Sequence, residues 1–438
     1  MNDMGAVLCG TLIDGTGGTP KKNVALLIEQ GRISGIVDRF AELPVDGRVI
    51  DAREATIFPG LMDIHVHLAS VVDPQEANTL LAIIGSPPPL LAFHAAKNAR
   101  TMLEAGFTTV RDLAGYTSFR NIEVVSLRRA IDMSLIVGPR VFAAAWVSQT
   151  AGHLDMGLPP TYPRNPSDRA DGVDEVRKLT RSVIRDGVDL IKTSSAGGGG
   201  GYLEEKWWRN YTIEELSAIA DEAHAVGKKL AVHTHTAFGA KNALIAGADT
   251  IEHGTQLDDE AIQMLLDRAA FLVPTLAVRS ERALAGRERG GAHAHVLKKQ
   301  REALQAGGES FRKAYEAGVK IATGTDTYRA LREFWGENAY ELELMVEFGM
   351  TSMDAMVAST KVAAEALGQE KNLGTLEPGK FADLVVFEGD PISDIKTLQD
   401  KGRILGVVKG GQLVVDRGVK FLASEELAAM NKQSAPTS

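Results

Sequence analysis

Hydrophobic and polar positions follow two different textures along this chain. Near the start, Ala6–Ile13, Val24–Glu29 and Arg32–Val37 are short apolar runs split by glycine-rich or polar turns, the pattern of β-strands. Asp383–Phe387, Ile404–Lys409 and Gln412–Val415 repeat that texture near the end. One small β-sandwich domain composed of residues 1–57 and 376–438 accounts for both.

The middle alternates strand-like and helix-like patterns. Eight apolar runs stand out: Ile57–His67, Thr108–Asp112, Arg140–Ala145, Asp189–Thr193, Lys229–His235, Thr250–His253, Phe271–Leu276 and Lys320–Asp326. Helical periodicity precedes most of them, at Phe93–Ala105, Val173–Asp186, Thr212–Val226, Ala237–Ala246 and Glu309–Ala317. Strand alternating with helix predicts a parallel sheet. Eight repeats predict an α/β fold of the (β/α)8 TIM barrel type over residues 58–375. An open doubly wound sheet is the rival. The count of eight favours the barrel. Two loops are unusual: residues 69–92, with three prolines at 87–89, and the five-glycine run at 197–201. Loops after barrel strands line the mouth of the site, and long loops in compact domains are usually functional.

Composition narrows the function. The 438 residues carry a net charge of −9 and one cysteine. No disulfide can form within the chain, and the acidic balance without a basic run argues against nucleic acid. No run of about 18 apolar residues predicts a membrane span, and the first residues do not read as a signal peptide. The expectation is a cytoplasmic protein, with a processed or truncated secreted form left open.

Chemistry concentrates at the ends of the predicted strands. His65 and His67 lie two apart in Met-Asp-Ile-His-Val-His, so in a strand both imidazoles face one way. His233 and His235 repeat that spacing, His253 ends the sixth run, and Asp326 ends the eighth. Lys192 ends the fourth, otherwise apolar, run. A buried lysine loses its proton easily, and a neutral amine can add carbon dioxide to become a carbamate, a bridging carboxylate for two metals. A snorkelling or salt-bridged lysine is the ordinary alternative. Five strand ends bearing such groups on one face of a barrel make coincidence a poor account of the set. His94 and His224 lie in helical patterns and read as packing or surface residues. His293 and His295 copy the His-x-His spacing outside a strand and read as bystanders.

These residues resemble the amidohydrolase superfamily. Pro59-Gly60-Leu61-Met62-Asp63-Ile64-His65-Val66-His67 is similar to its opening metal motif, and Leu373-Gly374-Thr375-Leu376-Glu377-Pro378-Gly379-Lys380-Phe381-Ala382-Asp383-Leu384-Val385-Val386 to its re-entry into the β-sandwich. Ile-Lys-Thr-Ser, Val-His-Thr-His and Ile-Glu-His-Gly resemble the imidazolonepropionase-related and prolidase-like subgroup, including ochratoxinase-type enzymes. The resemblance implies two divalent metal ions, zinc being favoured, with manganese, iron or cobalt left open. It implies that His65, His67 and Asp326 hold the more buried ion, His233 and His253 the more exposed one, and carbamylated Lys192 bridges them. With Cys9 in the terminal sheet, nitrogen and oxygen ligands alone would build the site.

Metal-activated water would attack the scissile carbonyl, and Asp326 would carry the proton to the leaving amine. By the same resemblance, His153, after the third strand, is the candidate donor to the developing oxyanion, the alternative being a solvated loop histidine. His235 is expected to touch substrate or orient a ligand. Arg279, Arg329 and Arg332 are candidates for a substrate carboxylate. Trp207 and Trp208, with the apolar flanks of the 69–92 loop, suggest an aromatic substrate or a subunit interface. The leading expectation is cleavage of a small-molecule amide: an N-acyl amino acid, a dipeptide or an ochratoxin-like aromatic amide. Hydrolysis of a cyclic amide, deamination of a heterocycle and a non-catalytic assembly role are the alternatives. A homo-oligomer is expected from the resemblance.

Overall fold

A computed structural model describes residues 4–38, 43, 47–71, 85–115, 118, 120–155, 168–198, 204–289, 294–327, 335–423 and 425–426. Fourteen strands among them form two seven-stranded sheets. The first sheet takes strands from both ends of the chain: β1 (Met4–Leu12), β2 (Lys21–Glu29), β3 (Arg32–Val37), β4 (Arg48–Pro59), β12 (Leu384–Phe387), β13 (Ile404–Lys409) and β14 (Gln412–Asp416). Its order is β14-β13-β12-β4-β1-β2-β3, with β12 running antiparallel to β4. Val7, Cys9, Leu26, Ile50, Ile57 and Leu384 pack one face of it. Cys9 is buried there.

The second sheet is parallel and nearly closed. It runs in sequence order through β5 (Leu61–Val66), β6 (Phe107–Asp112), β7 (Arg140–Trp146), β8 (Leu190–Ser194), β9 (Lys229–Thr236), β10 (Thr250–Gln256) and β11 (Phe271–Val273). Helices separate these strands because their apolar faces cover the sheet. In Val173–Arg185 the buried residues are Val176, Leu179, Thr180 and Val183, one stripe at helical spacing. β6 and β8 are buried on both faces, as parallel strands under helices must be.

The eighth expected strand, Lys320–Asp326, is not a regular strand. It is an extended segment that closes the barrel through two parallel bridges, Ile321 to Leu272 and Thr327 to Val66. Ile64 N donates to Thr323 O at 2.9 Å, and Asp326 N to His65 O at 2.7 Å. A turn toward the site at Asp326, where φ is 55°, breaks the ladder.

The first expected run, Ile57–His67, is two strands belonging to different sheets. β4 ends at Pro59 against β12, and β5 begins at Leu61 against β6. Gly60 is the crossing point, where a Cβ would lie 2.0 Å from Thr108 Oγ1. The loop expected over 69–92 ends earlier than its apolar content suggests. Pro88 opens the helix Pro88–Glu104, since a proline in the first turn forfeits no hydrogen bond. Residues 72–84 of that loop, Gly199–Gly201, His293, Arg329 and Arg332 lie outside the described residues. Among the described residues no helix is long and apolar enough to cross a membrane.

Candidate functional site

Parallel strands in a closed sheet deliver their carboxyl ends to one face. His65 sits on β5 with His67 just beyond it, Lys192 on β8, His233 and His235 on β9, His253 on β10, and Asp326 on the closing segment. Their side chains meet. Ring centroids lie 5.5 Å apart for His65 and His67, 5.0 Å for His65 and His253, and 4.5 Å for His233 and His253. The donor atoms of His65, His253 and Asp326 all fall within 4.8 Å of one another. His67 Nε2 is 2.9 Å from Asp326 Oδ1.

Backbone conformation explains how neighbours reach the same centre. Successive residues of an extended strand face opposite ways, yet Glu252 and His253 both turn into the site. His253 has φ 74°, which ends the alternation, and Gly254 follows at φ 55°. Behind His65 lies a buried ion pair. Glu252 Oε2 accepts from His65 Nδ1 at 2.7 Å, and Arg111 Nη2 donates to Glu252 Oε1 at 2.7 Å. This commits Nδ1 of His65 and leaves Nε2 for the centre, 3.7 Å from Asp326 Oδ1. Asp63 performs a parallel task for the closing segment. It accepts from Thr325 N and Oγ1, Asn338 Nδ2 and His65 N.

The electrostatics favour the neutral ring at His65, His233, His235 and His253, whereas at His67 burial is outweighed by the hydrogen bond and charge of Asp326, which raise it. Burial, reinforced by the Lys192 charge, pulls His65 down to about 4. Burial also holds His233, His235 and His253 well below the usual histidine range. Lys192 is pushed down to about 8 by burial. Burial works against the Asp326 carboxylate, but His65 and His67 outweigh it and hold it at about 2. Burial likewise opposes Glu252, yet the Arg111 and Lys192 charges keep it well below the carboxylate range. Lys192 Nζ and His233 Nε2 are buried without a hydrogen-bond partner among the described residues. Such orphaned atoms cost stability and fit a group bound between them. The donor set is entirely nitrogen and oxygen, which suits zinc and its neighbours in the first transition row.

Around this centre stand the candidate substrate groups. Arg279, after β11, is buried. It donates to Thr275 O and Oγ1 at 3.0 Å, and its Nη2 lies 3.3 Å from His235 Nδ1. His235 Nδ1 also meets Thr255 Oγ1 at 2.8 Å, and its ring stacks on His253. His153, after β7, stacks on His233 with centroids 4.0 Å apart and planes 16° apart. Trp207 and Trp208 lie on the loop after β8, 65% and 40% exposed. The bystanders stay apart: His224 pairs with Asp249 on the outside, and His94 lies on the helix Pro88–Glu104.

Sequence reasoning missed Asp63, Arg111, Glu204 and Glu252. For Asp63, Arg111 and Glu252 the available signal was a charged residue inside an otherwise apolar strand run, as in Thr-Val-Arg-Asp and Thr-Ile-Glu-His, whereas Glu204 lies in the loop after β8 and lacked it. Charges are rarely buried without a partner, so each called for an opposite one, but β6 and β10 are not neighbouring runs and nothing local pairs Arg111 with Glu252.

Comparison with known proteins shows the family. The Amidohydrolase family profile matches residues 56–414. Ochratoxinase from Aspergillus niger is 32% identical over 94% of this chain and 87% of its own length. The structure of a Xaa-Pro dipeptidase with methionine bound in its active site superposes with TM-score 0.84 at 33% identity, covering 93% of this chain and 98% of that one. A prolidase complexed with N-methylphosphonate-L-proline superposes with TM-score 0.84 at 30% identity, covering 94% and 99%. The chain belongs to the amidohydrolase family and is a hydrolase acting on amide bonds.

Proposed function

We propose that this protein is a binuclear metal-dependent hydrolase that releases a carboxyl-terminal amino acid from N-acyl amino acids or dipeptides, aromatic amides of the ochratoxin type among them. The observation that carries this is the buried centre itself: His65, His253 and Asp326 converge beside Lys192 and His233, whose Nζ and Nε2 are buried without a hydrogen-bond partner among the described residues. His65, His67 and Asp326 would hold one ion, His233 and His253 the second, and Lys192 as a carbamate would bridge them. When bound, such a pair would supply hydroxide near neutral pH and polarisation of the scissile carbonyl.

The residues of the chain do the rest. Asp326 takes the proton from the attacking water and delivers it to the leaving amine. His153, held beside His233, donates to the oxygen that gains charge as the carbonyl becomes tetrahedral. Arg279 and His235 favour a substrate with a free carboxylate, because a guanidinium at the mouth of a buried site recognises that group best. Trp207 and Trp208 on the rim suit an aromatic or otherwise apolar acyl group. The names of the relatives support this reading: ochratoxinase, a Xaa-Pro dipeptidase and a prolidase.

The test is a panel of N-acyl amino acids, dipeptides and ochratoxin A, run on protein loaded with zinc in the presence of bicarbonate. Release of the free amino acid is expected. Its absence across the panel, or release of ammonia from a heterocycle instead, overturns the proposal.

A further inference from the structure

The described end of the glycine run approaches the site more closely than any side chain would permit. A Cβ built on Gly198 would lie 2.0 Å from His153 Cε1 and 2.3 Å from its Nδ1, and one on Gly197 would lie 2.2 Å from Glu205 O. Backbone therefore packs directly on the imidazole. One carboxylate oxygen joins the two. Glu204 Oε1 accepts from Gly198 N at 2.6 Å and from His153 Nδ1 at 2.9 Å, and Oε2 lies 3.2 Å from the same nitrogen. Glu204 is 2% exposed and His153 13%. The other face of the ring lies flat on His233. The imidazole is thus fixed on three sides: a carboxylate at its Nδ1 edge, glycine backbone at Cε1 and Nδ1, and a parallel ring beneath. Its remaining polar edge is Nε2.

We propose that Glu204 is a positioning residue of this enzyme. Through one oxygen it locks the His153 ring and the start of the glycine loop into a single unit, so that Nε2 is presented to substrate in one orientation. Glycine at 198 is required because only a residue without a side chain lets the loop reach that oxygen across the ring. The proposal rests on the reading of His153 as a donor that acts when the substrate carbonyl becomes tetrahedral. A carboxylate fixing one imidazole nitrogen so that the other can work is a recurrent arrangement in hydrolytic sites. A group that acts only in the transition state changes kcat and leaves ground-state binding nearly untouched.

The experiment uses metal-loaded wild type, Glu204→Ala, Glu204→Gln and Gly198→Ala. In crystals of Glu204→Ala the His153 ring is expected to leave its stack on His233. With an N-acyl amino acid, Glu204→Ala and Gly198→Ala should lower kcat about 10- to 100-fold, with KM within about threefold of wild type. Affinity for a phosphonate analogue such as N-methylphosphonate-L-proline should fall by the same factor as kcat, while affinity for the product amino acid holds. Glu204→Gln keeps one acceptor oxygen and should recover most of the loss. A merely structural role would instead show as lost metal or a lower melting temperature without that split. An unmoved His153 ring in Glu204→Ala overturns the proposal, as does wild-type kcat with wild-type phosphonate affinity. The ring position decides the matter even if wild-type protein turns over no substrate in the panel, an outcome that would overturn the proposed function alone.

Discussion

At the scale of single residues, the site depends on groups that are costly to bury. Lys192 is 1% exposed, and its orphaned Nζ is the sharpest sign that another group belongs beside it. Lys192→Ala should lose bound metal and turnover together, and added short carboxylic acids should restore part of both by standing in for a carbamate. Full activity in the plain variant would remove the bridging role. Asp326→Asn keeps a donor oxygen but cannot shuttle a proton, so metal content should hold while turnover disappears. Turnover at the wild-type rate would exclude Asp326 as the shuttle. Glu252 acts one layer further out. Glu252→Gln gives up the charge that faces Arg111 and weakens the hold on His65 Nδ1. Zinc affinity, measured by competition with a chelator, should fall about 10- to 100-fold. An unchanged affinity would show that His65 orients itself.

At the scale of elements, short strands and capped helices place these residues. The helix Ile213–His224 begins at Thr212, which accepts from Glu215 N while Glu215 caps the Thr212 N–H. Glu215 also accepts from Gly172 N, joining this helix to the start of the helix Val173–Arg185. Thr212→Ala should destabilise the protein by about 1 kcal/mol, read as a lower denaturation midpoint, with the proposed metal centre intact because the residues proposed to hold it sit on other elements. Loss of bound metal in that variant would contradict this separation. The strand ends were legible in the sequence to within a few residues because apolar runs bounded by glycine and charge are strong signals. The closing segment was harder. Lys320–Asp326 has strand-like composition, but Asp326 turns into the site at positive φ, and the ladder gives way to isolated bridges.

At the scale of the molecule, polar contacts tie the parts together. Arg140 on β7 donates to Asp383 beside β12 at 2.9 Å and lies over the Phe381 ring, so the barrel and the terminal sheet share a polar joint. Glu341, on the helix Tyr340–Glu347, accepts from Leu276 N and Ala277 N and so anchors the turn that carries Arg279. Burial pushes Glu341 up to about 8. A raised carboxyl binds its proton more tightly folded than unfolded, so between its ordinary pKa and about 8 the folded state holds more protons. Its contribution to stability therefore falls as pH rises through that window. Glu341→Gln removes the titration. The stability advantage of wild type over this variant should shrink between pH 5 and 9, measured by denaturant unfolding. An advantage that stays constant with pH would mean Glu341 does not titrate there.

The sequence by itself determined the alternation that makes a parallel barrel, the return of the chain to its first sheet, and the residue types gathered at the strand ends. Those features are local: apolar periodicity, glycine and proline punctuation, and histidines two apart on a strand. Only the tertiary structure decided which donors meet, how Arg111 and Glu252 neutralise each other behind His65, and how Glu204 and Gly198 grip His153. The barrel brings together groups far apart in the chain, across 141 positions for Arg111 and Glu252 and 51 for His153 and Glu204. The energy of a buried charge is set by what surrounds it in space, and no local pattern of residues carries that information.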